Sequence, residues 1–270
     1  MEQEIQATTQ DVREWQNKNF YKQALDYAYD VLKPFSERFT VDKKRLLFSI
    51  ELVSKAVGDL RGKRILDMGS GIGLTCLAFK KLGAEAQGID KYIFDPADPL
   101  FHIADVNHLQ DIWKREGLAI QAGDFFIADL SSYDVIMSDA TIEHLRNPKE
   151  FILRMNDVVR PGGFVFIGTP NLSTMLRRIR FVFGRSPLWT LRDYYDLGES
   201  FTGHWREYTL QELKQMCEWS GLQVVGMWNK NMLAPFKWRW EKMPRFIARL
   251  LSVCVPGSRD SNFLLCKRPL

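Results

Sequence analysis

One nine-residue stretch restricts the fold more than any other: Ile65-Leu-Asp67-Met-Gly69-Ser70-Gly71-Ile-Gly73. Apolar residues carry a short buried strand to Asp67. Three alternate glycines then let the backbone turn sharply, approach a ligand closely and enter a helix. Leu74–Leu82 reads as that helix, stopped by Gly83, and Ala84–Asp90 as the next strand. Strand, helix and strand of this length make a right-handed parallel unit. The pattern continues with a helix at Asp105–Glu116, strands at Leu118–Ala122 and Tyr133–Ser138, and a helix at Pro148–Val159. The turn Arg160-Pro-Gly-Gly leads to a strand at Gly163–Thr169. A helix over Thr209–Ser220 opens with Thr209 and Glu212 at capping-box spacing, and strands at Leu222–Trp228 and Asn262–Lys267 complete the series.

The 270 residues suit one large α/β domain, and 46% hydrophobic residues supply its core. Ahead of the glycine motif, residues 10–58 read as two helices. Trp15, Phe20, Leu25, Ala28 and Leu32 fall on one face of the first, which Pro34 ends. Leu46, Leu47, Ile50 and Val53 stripe the second, Asp42–Val57. The chain therefore divides into an N-terminal helical extension, 1–59, and a main domain, 60–270, carrying insertions at 171–208 and 230–260. A net charge of +4 does not by itself indicate nucleic acid. Cys76, Cys217, Cys254 and Cys266 lack the close spacing of a zinc or redox motif. The polar start is no secretory signal and no apolar run would span a bilayer, so a cytoplasmic protein is expected.

Further motifs follow the first in order. Gly88-Ile-Asp90 ends the second strand, where a carboxylate can accept two hydrogen bonds from a ribose diol, and Lys91 follows it. Gly123-Asp124-Phe125 comes after the third strand. A nicotinamide fingerprint would place a third glycine where this chain has Leu74. Alone, each motif also reads as a tight turn or a solvated strand-end acid; their order and spacing favour a ligand. Tyr133-Asp-Val-Ile-Met-Ser-Asp-Ala-Thr-Ile-Glu143-His144 precedes Pro148, and Arg160-Pro-Gly-Gly-Phe-Val-Phe-Ile-Gly-Thr-Pro-Asn171 follows. Gly203-His204-Trp-Arg-Glu-Tyr-Thr leads into the last helix. A histidine titrating near neutrality can take a proton from a hydroxyl. Packing or loop capping accounts for His204 and His144 equally well.

Over residues 60–228 and the final strand, the ordered set resembles class I S-adenosylmethionine (SAM)-dependent methyltransferases of the small-molecule branch. Quinone-biosynthesis O-methyltransferases and many sugar methyltransferases belong there. The resemblance implies a Rossmann-like, doubly wound, seven-stranded and mostly parallel sheet with its last strand antiparallel. It implies SAM as cofactor, held by Asp67, Gly69, Ser70, Gly71, Gly73, Asp90, Lys91, Asp124 and Phe125, with Asp124 at the adenine amino group. His204, His144 and Glu143 are the catalytic candidates, His204 as base. Some quinone O-methyltransferases carry Glu-x-x-Glu-His here and bind a divalent metal. Ala140 stands at the first of those positions and Asp139 is one residue off, so no metal is expected.

The acceptor is less constrained; a small molecule, anionic or lipid-linked, is expected. Arg177, Arg178, Arg180 and Arg185 cluster around Phe181-Val-Phe. Residues 235–255 mix tryptophan, cationic and aliphatic side chains, with Met243, Ile247, Leu250, Leu251 and Cys254 on one face at helical spacing. Two readings stand: a lid helix packed on the core, or a segment in peripheral contact with a membrane. Nucleic-acid or protein methylation is the alternative activity. The chain has no Asn-Pro-Pro-Tyr-like or Pro-Cys tetrad, and Thr169-Pro-Asn171 follows the wrong strand for one, so no nucleic acid is expected. A non-catalytic SAM-binding scaffold is the third possibility.

Overall fold

The computed structural model describes residues 9–95, 102–130, 132–188, 191–232 and 243–270. Its centre is a seven-stranded sheet built from β1 (Arg64–Met68), β2 (Glu85–Asp90), β3 (Ala119–Ala122), β4 (Tyr133–Asp139), β5 (Val159–Pro170), β6 (Gln223–Lys230) and β7 (Ser261–Lys267). The spatial order is β3-β2-β1-β4-β5-β7-β6. The first five strands are parallel to one another, and β7 runs antiparallel between β5 and β6. The doubly wound, mostly parallel sheet and its antiparallel last strand are thus as expected. Chain order reverses between β1 and β4, the switch point where open α/β sheets leave a crevice beyond their carboxyl ends.

Neighbouring strand residues point to opposite faces, and the two apolar layers follow that alternation. Ile65, Val135, Met137, Phe166 and Phe263 join one layer with α1 (Thr9–Val31), α2 (Lys43–Val57), α3 (Leu74–Lys81) and α4 (Val106–Arg115). Leu66, Ile136, Val165, Ile167 and Leu264 join the other with α5 (Pro148–Val158) and α8 (Leu210–Trp219). Thr209 and Glu212 complete a reciprocal capping box at the start of α8. Leu25, Ala28 and Leu32 pack with Leu77 and Phe79 of α3, so the N-terminal helices share the main core. The four cysteines are unpaired.

Three local expectations change. Phe20 is 53% exposed. It lies five residues before Leu25, about 140° around the helix from it, and therefore off the packed stripe; the Trp15 side chain lies outside the described residues. The 171–208 connection contains two short helices, α6 (Met175–Val182) and α7 (Leu191–Leu197), each about two turns and too brief for periodicity to reveal. In α9 (Met243–Cys254) the apolar stripe turns away from the core. Ile247, Leu250, Leu251 and Cys254 are exposed, while Ala248 and Ser252 are buried. Residues 233–242 of that insertion and the side chains of Met243 and Arg245 lie outside the described residues. Among the described residues, no helix is long and apolar enough to cross a membrane.

Because α1 belongs to the common core, Leu25→Ala should cost about 2–5 kcal/mol, the scale of a truncated buried leucine. Denaturant unfolding should remain a single transition. An early, separate helical transition would show residues 1–59 to be an independent unit.

Candidate functional site

A cavity of about 680 Å³ opens at the carboxyl edge of the sheet, at the β1/β4 switch. The turn after β1 forms one wall. Gly69 has φ 89°, and a Cβ there would meet Thr141 Oγ1 at 2.2 Å, so only glycine permits the turn. The Asp90 carboxylate accepts from the Gly71 and Ile93 backbone N–H groups at 2.9 and 3.1 Å, tying the turn to the end of β2. Gly69, Ser70 and Gly71 line the cavity. Gly73 stands apart from it: it opens α3 with φ 85°, and a Cβ would press on Leu118 and Ile120. Lys91, Asp124 and Phe125 line the same half. Lys91 Nζ lies 3.4 Å from Asp124, whose other oxygen accepts from the Phe126 N–H.

Asp67 Oδ1 and Ser70 Oγ in this half are buried without a described hydrogen-bond partner, as are Arg45 Nη1 and Asp139 Oδ1, which meet each other as an ion pair. Asp67 accepts from the Thr75 hydroxyl through its other oxygen. Burial, reinforced by the nearby acids Asp139 and Asp90, pushes its carboxyl up to about 7. Arg45 reaches into the cavity from α2 and pairs with Asp139 and Asp42. Ser49 of α2 also donates to Asp139, at 2.9 Å. Asp139 is therefore bound to α2, and Ala140 beside it takes a left-handed φ of 60°. The set fits SAM chemically. A buried carboxylate oxygen suits the ammonium, a guanidinium the carboxylate, and a strand-end acid the ribose.

The opposite half holds Glu143, His144 and His204 together. Glu143 is fully buried; Oε2 accepts from the Thr169 hydroxyl at 2.8 Å, and Oε1 has no described hydrogen-bond donor. Burial pushes the Glu143 carboxyl up to about 7 against the opposing charge of His204. His144 Nδ1 donates to the Thr202 carbonyl at 2.8 Å, the tautomer that a carbonyl partner requires. Its ring meets that of His204 edge-on, centroids 4.7 Å apart. His204 Nδ1 donates to Glu207 Oε1 at 2.7 Å, and Arg177 grips both Glu207 oxygens from α6. Burial alone would lower the His204 pKa, but Glu207 and Glu143 outweigh it and the net shift is upward. For Glu207, burial pushes upward, yet His204 and Arg177 prevail and keep it a carboxylate. Asn262 donates to the Tyr208 carbonyl and to Asn171, stitching this loop to the ends of β5 and β7.

Arg45 and Glu207 had no role assigned from sequence, and Arg177 was read only as one of a basic cluster, not as the partner of Glu207. Only the acid three residues after His204 carried any local signal. Arg178, of the basic cluster, donates to the Ser173 and Pro256 carbonyls; Arg180 and Arg249 line the cavity. Glu143, His144 and His204 also offer one ligand atom each within 4.8 Å of one another. Ligands about 2.1 Å from a tetrahedral ion would stand about 3.4 Å apart. Glu143 Oε1 and His144 Nε2 are 4.0 Å apart, so an ion would have to draw them in.

A family model described as a methyltransferase domain matches residues 41–226. The chain is 30% identical over 122 residues to a ubiquinone biosynthesis O-methyltransferase of Bordetella avium, covering 45% of this chain and 48% of that protein. A protein of the same name from Mesorhizobium japonicum is 34% identical over 119 residues, covering 43% and 45%. The chain thus spans about half the length of the curated relatives it matches. Among solved structures, the Burkholderia thailandensis 1,6-didemethyltoxoflavin-N1-methyltransferase with bound S-adenosylhomocysteine superposes with a TM-score of 0.54 at 12% identity, covering 100% of this chain and 94% of that one. Haemonchus contortus phosphoethanolamine N-methyltransferase 2 with SAM gives 0.54 at 15%, covering 83% and 53%. At such identities the likeness is of fold alone.

The raised carboxyls fix a pH dependence. A group whose pKa is higher folded than unfolded favours the fold below its unfolded value, and that contribution fades as pH rises through the folded value. For Asp67 and Glu143 the window runs from about 4 to about 7. Stability of the ligand-free protein should fall across pH 5 to 7, measured by urea unfolding, and Asp67→Asn with Glu143→Gln should flatten that fall. An unchanged slope in the double variant would contradict the assignment.

Proposed function

The chain belongs to the methyltransferase-domain family and its cofactor is SAM, and from that premise we propose that it methylates a hydroxyl of a small acceptor with His204 as base. The observation that carries this reading is the Arg177–Glu207–His204 chain at the cavity wall opposite Asp67 and Asp90. SAM, when bound, supplies a methyl group on a positively charged sulfur. Asp67, Ser70 and Gly71 bind and orient it; Asp90 takes the ribose, Asp124 and Phe125 the adenine, and Arg45 the carboxylate. With Nδ1–H committed to Glu207, His204 keeps Nε2 to accept the hydroxyl proton as the acceptor oxygen gains its methyl. Glu207 fixes the tautomer and ring plane, and stabilises the imidazolium that forms. Glu143 and His144 shape the floor beneath it. No metal takes part: Ala140 offers no ligand and Asp139 is held by Arg45 and Ser49.

The acceptor we favour is anionic and amphipathic, of lipid or sugar type. Its support is the wall built by α6 and α9, where Arg180 and Arg249 stand among apolar side chains. The test is a SAM-donor assay against fractionated cell extract with mass-spectrometric identification of the product. Absence of any methylated product from folded, SAM-binding protein would leave the scaffold reading in its place.

Asp90→Ala should weaken SAM binding by about 1.5–3 kcal/mol in calorimetry, the scale of hydrogen bonds to a charged group. Unchanged affinity would remove the ribose assignment. With an acceptor in hand, His204→Ala should lower kcat by about 10²–10⁴. The rate should climb with pH through a midpoint above the ordinary histidine value, because His204 must lose its proton to act. Glu207→Gln removes the charge that holds that proton, so the midpoint should move to lower pH. A midpoint that stays put would deny Glu207 its positioning role. Activity should survive EDTA; loss on chelation that magnesium or zinc restores would make the Glu143–His144–His204 cluster a metal site.

A further inference from the structure

Helix α6 brings two arginines to the cavity, Arg177 and Arg180. Positions three apart share a helix face, so one short element aims both at the same space. Their circumstances differ. Arg177 is 8% exposed; it holds both Glu207 oxygens and donates to the Asn171 carbonyl at 3.1 Å. Its charge is used inside the protein. Arg180 is exposed, and its guanidinium has no hydrogen-bond or ion-pair partner among the described residues.

The other arginines of residues 172–192 are accounted for elsewhere. Arg178 donates to the Ser173 and Pro256 carbonyls, Arg192 pairs with Asp196, and Arg185 stands outside the cavity lining. The acids that line the half around Glu143 and His204 do not supply a counter-charge. Glu207 is held by Arg177 and His204, Asp260 accepts from the Met232 N–H and the Ser261 hydroxyl, and Glu143 is fully buried. Arg180 therefore lines the cavity, at its exposed side, with its charge unspent. The segments around it offer the same cavity Leu176, Pro187 and Ala248. Beside such apolar surface a guanidinium is less screened than in bulk water, and its planar fork matches two oxygens of one anion.

We infer that Arg180 is a specificity-determining residue, pairing with an anionic group, a phosphate or a carboxylate, that the acceptor carries at the end remote from the hydroxyl to be methylated. The inference rests on the reading of His204 as base to an acceptor hydroxyl. Arg177 fixes His204 through Glu207 on the buried side, whereas Arg180 stands about 4.5 Å further along the helix axis, toward the exposed Phe181 and Val182. The hydroxyl and the anion thus lie at two points along α6. The helix positions the base with one arginine and selects the acceptor with the next. An acceptor of the same shape without the anion leaves Arg180 to water and binds more weakly.

The test uses the full chain, SAM labelled in its methyl group, and cell extract separated on an anion exchanger at neutral pH. Labelled product should form from the retained, anionic fraction. Prior phosphatase treatment of that fraction should abolish the product where the group is a phosphate monoester and spare it where it is a carboxylate. With the purified acceptor, Arg180→Ala should raise its KM at least about tenfold, the scale of a lost hydrogen bond to a charged group. Arg180→Lys, which keeps the charge without the fork, should fall between. SAM affinity by calorimetry and the urea unfolding midpoint should match wild type, because Arg180 holds no part of the fold. An unchanged KM in Arg180→Ala overturns the inference, as does product formed from the unretained, neutral fraction. A raised KM accompanied by lost stability or SAM affinity would make Arg180 structural and overturn it too. Each of these leaves methyl transfer standing, whereas a SAM-binding wild type that labels nothing in any fraction sinks the hydroxyl reading and this inference with it.

Discussion

A carboxylate taken out of water must be met by donors or give up its charge, and the carboxyl edge of this sheet is organised around that requirement. Asp90 is met by two backbone N–H groups, Asp139 by Arg45 and Ser49, and Glu207 by Arg177 and His204. These three are structural as much as functional. Each ties one remote element to the crevice: the β1 turn to β2, α2 to β4, and α6 to the loop before α8. Asp67 and Glu143 are met on one oxygen only, and both are pushed to about 7. An acid left half-satisfied inside a cavity is costly unless something else completes it. Both line the cavity, one in each half.

The half around Asp67 and Asp90 was readable in the sequence because it is local. Asp67 and Asp90 lie within one strand–helix–strand unit, and the glycines between them answer to steric rules that a single turn imposes. Strand positions were readable for a similar reason, since apolar runs bounded by Gly, Pro and Asp need no knowledge of their neighbours. Even there, Gly73 shows a limit. It belongs to the motif but serves helix packing against Leu118 and Ile120 rather than the cavity wall.

The half around Glu143 and His204 was not readable because its contacts are long-range. Arg177 meets Glu207 across thirty residues, and Arg45 meets Asp139 from another helix altogether. No spacing rule announces such pairs. Phe20 and α9 fail differently. Periodicity identifies an apolar stripe but not what it faces, and burial in the core is only the commonest answer. On α1 the packed stripe is narrower than the apolar one. On α9 the small face packs inward and the apolar face is left over.

That inversion on α9 follows from where the helix sits. The residues that α9 offers the cavity are Ala248, Arg249 and Ser252, two of them small. Close approach of α6 also favours a small residue, and Ala248 is buried. With these positions taken, the large aliphatic side chains have only the outer face left. The edge around Asp90 is held by hydrogen bonds within one βαβ unit, whereas the opposite wall is built by the packed helix pair α6 and α9.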